Sequence, residues 1–347
     1  MAADASPLPR ICVLGSLNID LVSYVPHHPA PGETLTSNSF AVSPGGKGAN
    51  QAVACAKLSR SHPSGSGSNS ADDHQTGATA HVSMVGAVGA DTYGQILLDS
   101  LTAHGVDVGG VIAPRSLKTG MAIIIVDEPT GQNRIVLSPE ANHQGMAPGD
   151  FGSAIWPRTT GGGGGKPDLL VMQLEVPLQT VLQSLDAAGR GGIPVLLNPA
   201  PAVVLPDEVY RGLAHLVVNE TEAATLSGLP VERLDTEEGC AEVAGVFARR
   251  GVGAVIITLG GRGVYFMSSS GGTGAKAGLV PAEKVAEVVD TTAAGDTFVG
   301  QYALEVVRSG KGEFDVEAAV RKSNRAAAWT VQRKGAAASI PWRDEVV

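Results

Sequence analysis

Short apolar runs rich in β-branched residues recur along the chain, at residues 11–14 (ICVL), 82–85 (VSMV), 169–172 (LLVM), 195–197 (VLL), 216–218 (LVV) and 255–258 (VIIT). They read as strands buried on both faces. Between them lie segments with helical spacing of apolar positions, at residues 49–58, 95–103, 178–188, 237–249 and 298–307. Strand alternating with helix predicts an α/β fold, with a mainly parallel sheet covered by helices.

Two stretches break that alternation. Residues 34–42, and residues 121–126 with 134–137, look like strands with no helix between them. They predict a small antiparallel sheet set apart from the main one, a lid, in which Pro129-Thr-Gly131 turns a hairpin. The alternative is that they extend the main sheet. Residues 61–77 and the glycine run 161–165 are too poor in apolar groups to offset the entropy of ordering, and they read as flexible surface insertions. Residues 268–278 form a third such stretch, read as a long turn between two strands. The expectation is one α/β domain over residues 1–347, a lid from about 18–44 and 118–139, and insertions at about 61–78 and 158–166.

Composition narrows the partners. A chain of 347 residues that is 43% hydrophobic can bury one large core with an appendage. A net charge of -9 without a long basic run argues against nucleic acid as a partner. No apolar run is long enough to cross a membrane, and the first residues lack a basic-then-apolar leader. The C-terminal Asp-Glu-Val-Val is not a peroxisomal address. Cys12, Cys55 and Cys240 are odd in number and widely spaced, as in a reducing compartment, so a cytoplasmic location is expected.

The candidate chemistry sits where strands end. In Gly15-Ser-Leu-Asn-Ile-Asp20 the side chains of Asn18 and Asp20 point the same way in extended chain, offering an amide and a carboxylate to vicinal hydroxyls; a plain turn is the alternative. In Pro44-Gly-Gly-Lys-Gly-Ala-Asn50, clustered glycines let a ligand approach the backbone, with Lys47 and Asn50 at a helix start. Asp290-Thr-Thr-Ala-Ala-Gly-Asp296 is a polar segment that becomes a helix. Free N–H groups there make an anion hole, and Asp296 beside it is placed to take a proton from an attacking hydroxyl.

Thr258-Leu-Gly-Gly-Arg-Gly263 is a strand followed by a glycine turn that can hold phosphates or ribose through backbone amides. Asn219 and Glu222 stand at capping-box distance and serve equally as a cap or as groups that order Mg²⁺ and water. Asn198-Pro-Ala-Pro201 also follows a strand and is ambiguous alone. Gly165-Lys166 lacks the spacing and the following Ser/Thr of a P-loop, and no strand leads into GxGxxG.

Taken in order, these segments resemble the ribokinase family of carbohydrate kinases from about Arg10 to Trp342. Gly45–Asn50 and Asp290–Asp296 match its two signatures. Met172-Gln-Leu-Glu175, Asn198–Ala202, Arg333-Lys-Gly335 and Pro341-Trp-Arg343 narrow the likeness to its namesake branch. The resemblance implies a three-layer fold with a β-sheet lid and ATP-dependent phosphorylation of D-ribose at O5. It implies that Asn18, Asp20, Gly46, Lys47, Asn50 and Glu175 hold the pentose, with Asp296 as base.

It further implies that Asn198, Thr258, Gly260, Gly261, Arg262, Gly263, Gly295 and Asn324 meet the nucleotide, and that Ala293, Ala294 and Gly295 supply the anion hole. Mg²⁺ would accompany ATP, near Asn219 and Glu222. A potassium ion would sit beside Asp290, Thr292, Thr330, Arg333, Gly335 and Ser339, mostly on backbone oxygens. The usual Gly-Ala-Gly-Asp reads Ala293-Ala-Gly-Asp296 here, and alanine should serve because backbone amides do the binding. Family members often pair their lids, so a homodimer is expected. Kinases for deoxyribose, a ketohexose or adenosine are the near rivals, although only 4% of the chain is aromatic and a nucleoside site wants stacking surfaces. A non-catalytic sugar-binding relative is the distant one.

Overall fold

The computed structural model of the chain describes residues 7–63, 77–148, 166–268, 276–310 and 314–346. Most of the insertions expected near 61–78 and 158–166, and most of the stretch 268–278, lie outside the described residues. The first part of the chain forms β1 (Arg10–Leu14), β2 (Asn18–Val25), β3 (Ser39–Gly45), α1 (Lys47–Ser59), β4 (His81–Ala87), α2 (Thr92–Ala103), β5 (Asp107–Ile112), β6 (Gly120–Asp127), β7 (Asn133–Ser138) and α3 (Ala141–Gln144). The rest forms β8 (Leu169–Met172), α4 (Leu178–Gly191), β9 (Val195–Leu197), β10 (His215–Asn219), α5 (Glu220–Ser227), α6 (Glu237–Arg249), β11 (Ala254–Thr258), β12 (Val264–Ser268), β13 (Lys276–Val280), α7 (Ala294–Ser309) and α8 (Val316–Thr330).

The apolar runs make a 9-stranded sheet in the order β13-β12-β11-β10-β9-β8-β1-β4-β5. It is parallel from β11 to β5, and β12 and β13 add an antiparallel edge. Alternate residues of each strand feed opposite layers: Ile11 and Val13 join one core with α1, α7 and α8, while Cys12 and Leu14 join another with α4 and α6. Each fully buried Ile or Leu contributes about 1.5–3 kcal/mol relative to exposure, which is why strands of three to five residues suffice. After β1 the main sheet grows outward through β4 and β5, and later in the chain it grows the other way through β9, β10 and β11. The order therefore reverses between β1 and β8, and a crevice opens beyond their carboxyl ends.

A second sheet, ordered β3-β2-β6-β7, forms the lid. The hairpin of β6 and β7 turns through Gly131 at φ 69°, as the Pro129–Gly131 pattern predicts. The lid is antiparallel only at its two edges, because β2 and β6 pair in parallel over their whole length. Both strands leave the body from the same side, one directly after β1 and the other after β5, so they must run the same way. The third strand also sits later than the apolar pattern suggests, at Ser39–Gly45 rather than 34–42. Pro26, Pro29 and Pro31 occupy the stretch before it and remove backbone donors.

Helix α1 is buried along nearly its whole length, from Gly48 to Ser59. It lies against α7 so closely that a Cβ on Gly300 would come within 2.4 Å of the Ala54 Cβ. Gly300 is one turn beyond Asp296, and Ala54 is one turn beyond Asn50. This close approach brings the starts of the two helices together at the crevice.

Candidate active site

The crevice is built around the turn from β1 into β2. Gly48 packs on that turn so tightly that a Cβ there would meet the backbone of Gly15 and Ser16 at 2.6 Å. The N–H of Ala49 reaches Ser16 O at 2.9 Å. Gly46 caps α1 at φ 89°, in the left-handed region where a side chain is strained. These demands explain the glycine clustering before α1.

In β2, Asn18 and Asp20 lie on one face as the alternation requires, opposite Gly45 and Ser43 of β3. A Cβ on Gly45 would strike the Asp20 carboxylate at 2.2 Å. Asn18 is fixed by Asn142, whose Nδ2 donates to Asn18 Oδ1 at 2.7 Å. The same Asn142 side chain pairs with both the N–H and the C=O of Leu17, at 2.8 Å and 3.0 Å. Glu175, just beyond β8, accepts on Oε2 from the Ser16 hydroxyl and from the Lys47 N–H, the latter at 3.0 Å.

Asp296 sits in the first turn of α7 and is 8% exposed, with a hydrogen bond to each oxygen. Asn50 Nδ2 donates to Oδ2 at 3.1 Å and Gln51 Nε2 to Oδ1 at 3.0 Å. The first intrahelical bond of α7 is Thr297 N–H to Ala293 O at 2.8 Å, and Ala294 N–H reaches Thr291 O at 3.3 Å. The N–H groups of Gly295 and Asp296 fall between these two, where a helix leaves its donors for an external anion. Ala293 holds φ 60°, a left-handed conformation that glycine adopts freely. Alanine at this position therefore carries a conformational cost that backbone amide chemistry alone does not reveal.

Crowded carboxylates set the electrostatics. Burial, followed by the charges of Glu175 and Asp296, pushes Asp20 up to about 7. Burial also raises Asp296, against the pull of Lys47, Gln51 and Asn50. Burial opposes the Lys47 charge, but Asp296, Glu175 and Glu222 outweigh it and hold that ammonium above the ordinary lysine value. Glu222 is raised by burial and by Asp296, despite the cap bond from Asn219 and the nearness of Lys47. Such a site can grip a polyhydroxylated ligand, neutralise part of an incoming anion with one lysine, and offer a carboxylate to a hydroxyl proton.

The residues expected around the nucleotide have varied fates. Asn198 faces Gln51 and Val217 rather than open space, accepting from Gln51 Nε2 at 3.0 Å and donating to Val217 O at 2.9 Å. Thr258 Oγ1 bonds Val218 O at 3.4 Å, and Asn324 Nδ2 bonds Pro281 O at 2.8 Å. The Arg262 guanidinium is taken up by Leu234 O and the Glu220 carboxylate. The turn Gly260–Arg262 and Gly263 offer backbone instead, with open space around Gly260 and Gly261. Asn219 and Glu222 do form a reciprocal capping box at α5.

Around the expected cation, Asp290 accepts from Thr292 N–H and Gly335 N–H, both at 2.9 Å, tying the two loops together. Burial would raise its pKa, but these bonds prevail and hold it below the ordinary aspartate value. Thr330 shares a hydrogen bond of 2.8 Å with Thr297, and Ser339 Oγ bonds Ala336 O. The Arg333 side chain instead pairs with Glu345 and lies over the Trp329 ring. A hard cation suits the Asp290 carboxylate, an oxygen donor held below the ordinary aspartate value. Magnesium would find an oxygen donor on the other side in the Glu222 carboxylate, which is raised by burial and shares its surroundings with Lys47 and Asp296. Among the described residues no group of three or more His, Cys, Asp or Glu forms a ready-made metal cage, as suits an ion carried in on phosphates.

Ser16, Gln51, Asn142 and Gln173 belong to the site and escape the sequence reading. Gln51 and Gln173 sit inside segments that motif spacing singles out, but nothing in those segments says which polar side chain turns inward. Asn142 lies on the four-residue α3, which carries no periodic signal.

The family model for pfkB family carbohydrate kinases matches residues 8–343. A ribokinase of Schizosaccharomyces pombe is 42% identical, covering 96% of this chain and 95% of its own. A deoxyribokinase of Salmonella typhi is 35% identical, covering 95% of each chain. The solved structure of Arabidopsis thaliana ribokinase complexed with ribose and ATP superimposes with a TM-score of 0.78 at 28% identity, covering 98% of each chain.

Proposed function

Because this chain belongs to the pfkB family of carbohydrate kinases, we propose that it moves the γ-phosphoryl group of ATP onto O5 of D-ribose, giving D-ribose 5-phosphate and ADP. The observation that carries this reading is the Asp296 carboxylate, buried at the start of α7 and held by Asn50 and Gln51, across the crevice from Asn18 and Asp20. In this reading Asn18, Asp20, Gly46, Lys47, Asn50 and Glu175 hold the pentose beneath the lid. Asp296 accepts the proton of the attacking hydroxyl as the O–P bond forms, and the N–H groups of Gly295 and Asp296 receive the charge that develops on the phosphoryl oxygens. Positioning and charge stabilisation supply most of the rate.

The turn Gly260–Gly263 lies along the nucleotide, and Asn324 contributes a weak polar neighbour to an adenine held mainly by packing. Asn219 and Glu222 would hold magnesium, which would supply positive charge to neutralise the phosphates. Asp290 and the loops it joins at Thr292 and Gly335 would hold potassium, which would supply positive potential to the anion hole. The lid pairs with that of a second copy, supported by exposed Phe40, Val42, Ile123 and Val136. The protein works in the cytoplasm, supported by three buried free thiols and by the lack, among the described residues, of a helix able to cross a membrane.

The deciding variant is Asp296→Asn. Sugar binding should persist while turnover drops by roughly 10²- to 10⁴-fold; near-normal turnover refutes the base assignment. A second reading, 2-deoxyribose as the preferred acceptor, is supported by the deoxyribokinase relative. Parallel kcat/KM values for ribose, 2-deoxyribose, fructose and adenosine, with potassium present or replaced by a bulky cation, separate the two.

A further inference from the structure

Behind Asp296, Gln51 is the first of a row of buried amides whose other members the reaction as described does not use. Gln51 is fully buried, and its Nε2 donates at 3.0 Å both to Asp296 Oδ1 and to Asn198 Oδ1. Its Oε1 accepts from Gln173 Nε2 at 2.6 Å. Asn198 in turn donates from Nδ2 to the Val217 carbonyl of β10 at 2.9 Å.

The polarity of this row is determined at both ends. A backbone carbonyl can only accept, so Asn198 must turn its NH₂ to Val217 and its oxygen to Gln51. An ionised carboxylate likewise only accepts, so Gln51 must turn its NH₂ to Asp296. Both requirements fix the same orientation, which leaves Gln51 Oε1 facing the NH₂ of Gln173. Reversing any one amide sets two oxygens against each other. The row ends in a cost, because Gln173 Oε1 is buried and, among the described residues, has no hydrogen-bond partner. It occupies the place of a Cβ on Gly15, only 2.0 Å from that position. A chain of amides that leaves an acceptor unpaired is a poor way to stabilise a core, and apolar side chains of equal volume would pack there at less expense.

We propose that Gln51 is a positioning residue for phosphoryl transfer, its amide locked by Asn198 and Gln173 so that the Asp296 carboxylate is held at one angle to the attacking hydroxyl. This rests on Asp296 being the base. Asn198 then acts through Gln51, and not by a side-chain contact to the nucleotide. Displacing a reacting group by about 1 Å can cost about 10²-fold in rate, so a rotating carboxylate should lower turnover without weakening the sugar site.

The test compares wild type, Gln51→Leu, Gln51→Glu, Gln173→Met and Asp296→Asn for kcat, KM for the sugar, melting temperature and the pH dependence of kcat. Gln51→Leu should lose about 10- to 100-fold in kcat with KM changed by less than about 3-fold. Its acid limb should move to higher pH, since a donor that favours the ionised Asp296 is gone. Lys47 on α1, Glu175 after β8, Asp20 on β2 and Glu222 on α5 also face Asp296 and are unchanged in the comparison. Gln173→Met should move the same quantities in the same direction by less, because it frees Gln51 to rotate without removing it.

A folded Gln51→Leu with wild-type kcat and limb overturns the proposal. So does one in which kcat, KM and melting temperature fall together while the limb stays put, since that is mere packing. Should Gln51→Leu not fold, Gln51→Glu decides: its added negative charge should drive the limb further alkaline, and an unmoved limb counts against the proposal. An active Asp296→Asn defeats the base assignment itself. An inactive Asp296→Asn beside an unaffected Gln51→Leu defeats only the role given to Gln51.

Discussion

At the scale of single residues, the site trades stability for poised charge. Glu175, Glu222 and Asp296 face one lysine, with Asp20 beside Glu175 and Asp296, and burial raises the two aspartates and Glu222. Asp20 shows the consequence most directly, being pushed from 3.8 to about 7. In the ligand-free protein it keeps its proton below that point, while an unfolded chain would have lost it. Its contribution to stability therefore falls as pH rises from the ordinary aspartate range to about 7. Sugar hydroxyls bind best to the ionised form, so pentose affinity should weaken as pH falls through 7, with a proton released on binding. Calorimetry in buffers of different ionisation heat would register that proton. A flat affinity across this range, or no release, would show that Asp20 is already ionised or does not touch the sugar.

At the scale of elements, the start of α7 carries most of the design. Its cap residue has no side-chain hydrogen bond to the helix, so the donors stay available, and Ala293 takes a left-handed turn to aim them. A residue with a Cβ pays roughly 1–2 kcal/mol for that conformation. Ala293→Gly should relieve part of it, raising unfolding free energy by about 0.5–1 kcal/mol in denaturant titrations, whereas Ala293→Val should lower it. Loss of stability on the change to glycine would mean that the Ala293 methyl packs usefully and the turn is unstrained. Resemblance to a glycine-containing signature marks this position in the sequence, but only the backbone angle gives the energetic reason.

At the scale of the whole molecule, the reversal of strand order between β1 and β8 places the crevice, and the lid covers it. The lid has an unmet need of its own. By register, Val42, Leu21, Ile123 and Val136 form one row across its four strands, on the face turned from Asp20. Val42, Ile123 and Val136 are 44%, 43% and 62% exposed, an apolar stripe that a second lid would cover. Val136→Asp should weaken self-association by about 100-fold or more and give a monomer in sedimentation velocity at concentrations where wild type is a dimer. A wild-type protein that stays monomeric at every concentration would rule this assembly out.

Local pattern was enough for the parts of the molecule whose physics is local. Residues 169–172 and 195–197 read as buried strands, residues 237–249 read as a helix, and β8, β9 and α6 occupy those positions. Apolar runs this short have no other way to be buried, and Glu237 to Arg249 keeps one face apolar throughout. Glycine-rich segments and the residues beside them likewise disclosed Asn18, Asp20, Lys47, Asn50 and Asp296 as a set. What the chain could not disclose are relations between segments distant along it. The parallel pairing of β2 with β6 depends on where two strands leave the body. The approach of Gly300 to Ala54, 246 positions apart, sets Asp296 against Asn50 and Gln51. The turn of Gln51 and Gln173 toward Asp296, and of the Arg262 side chain toward Leu234 and Glu220, is settled by hydrogen-bond partners that come together only when the sheet is assembled.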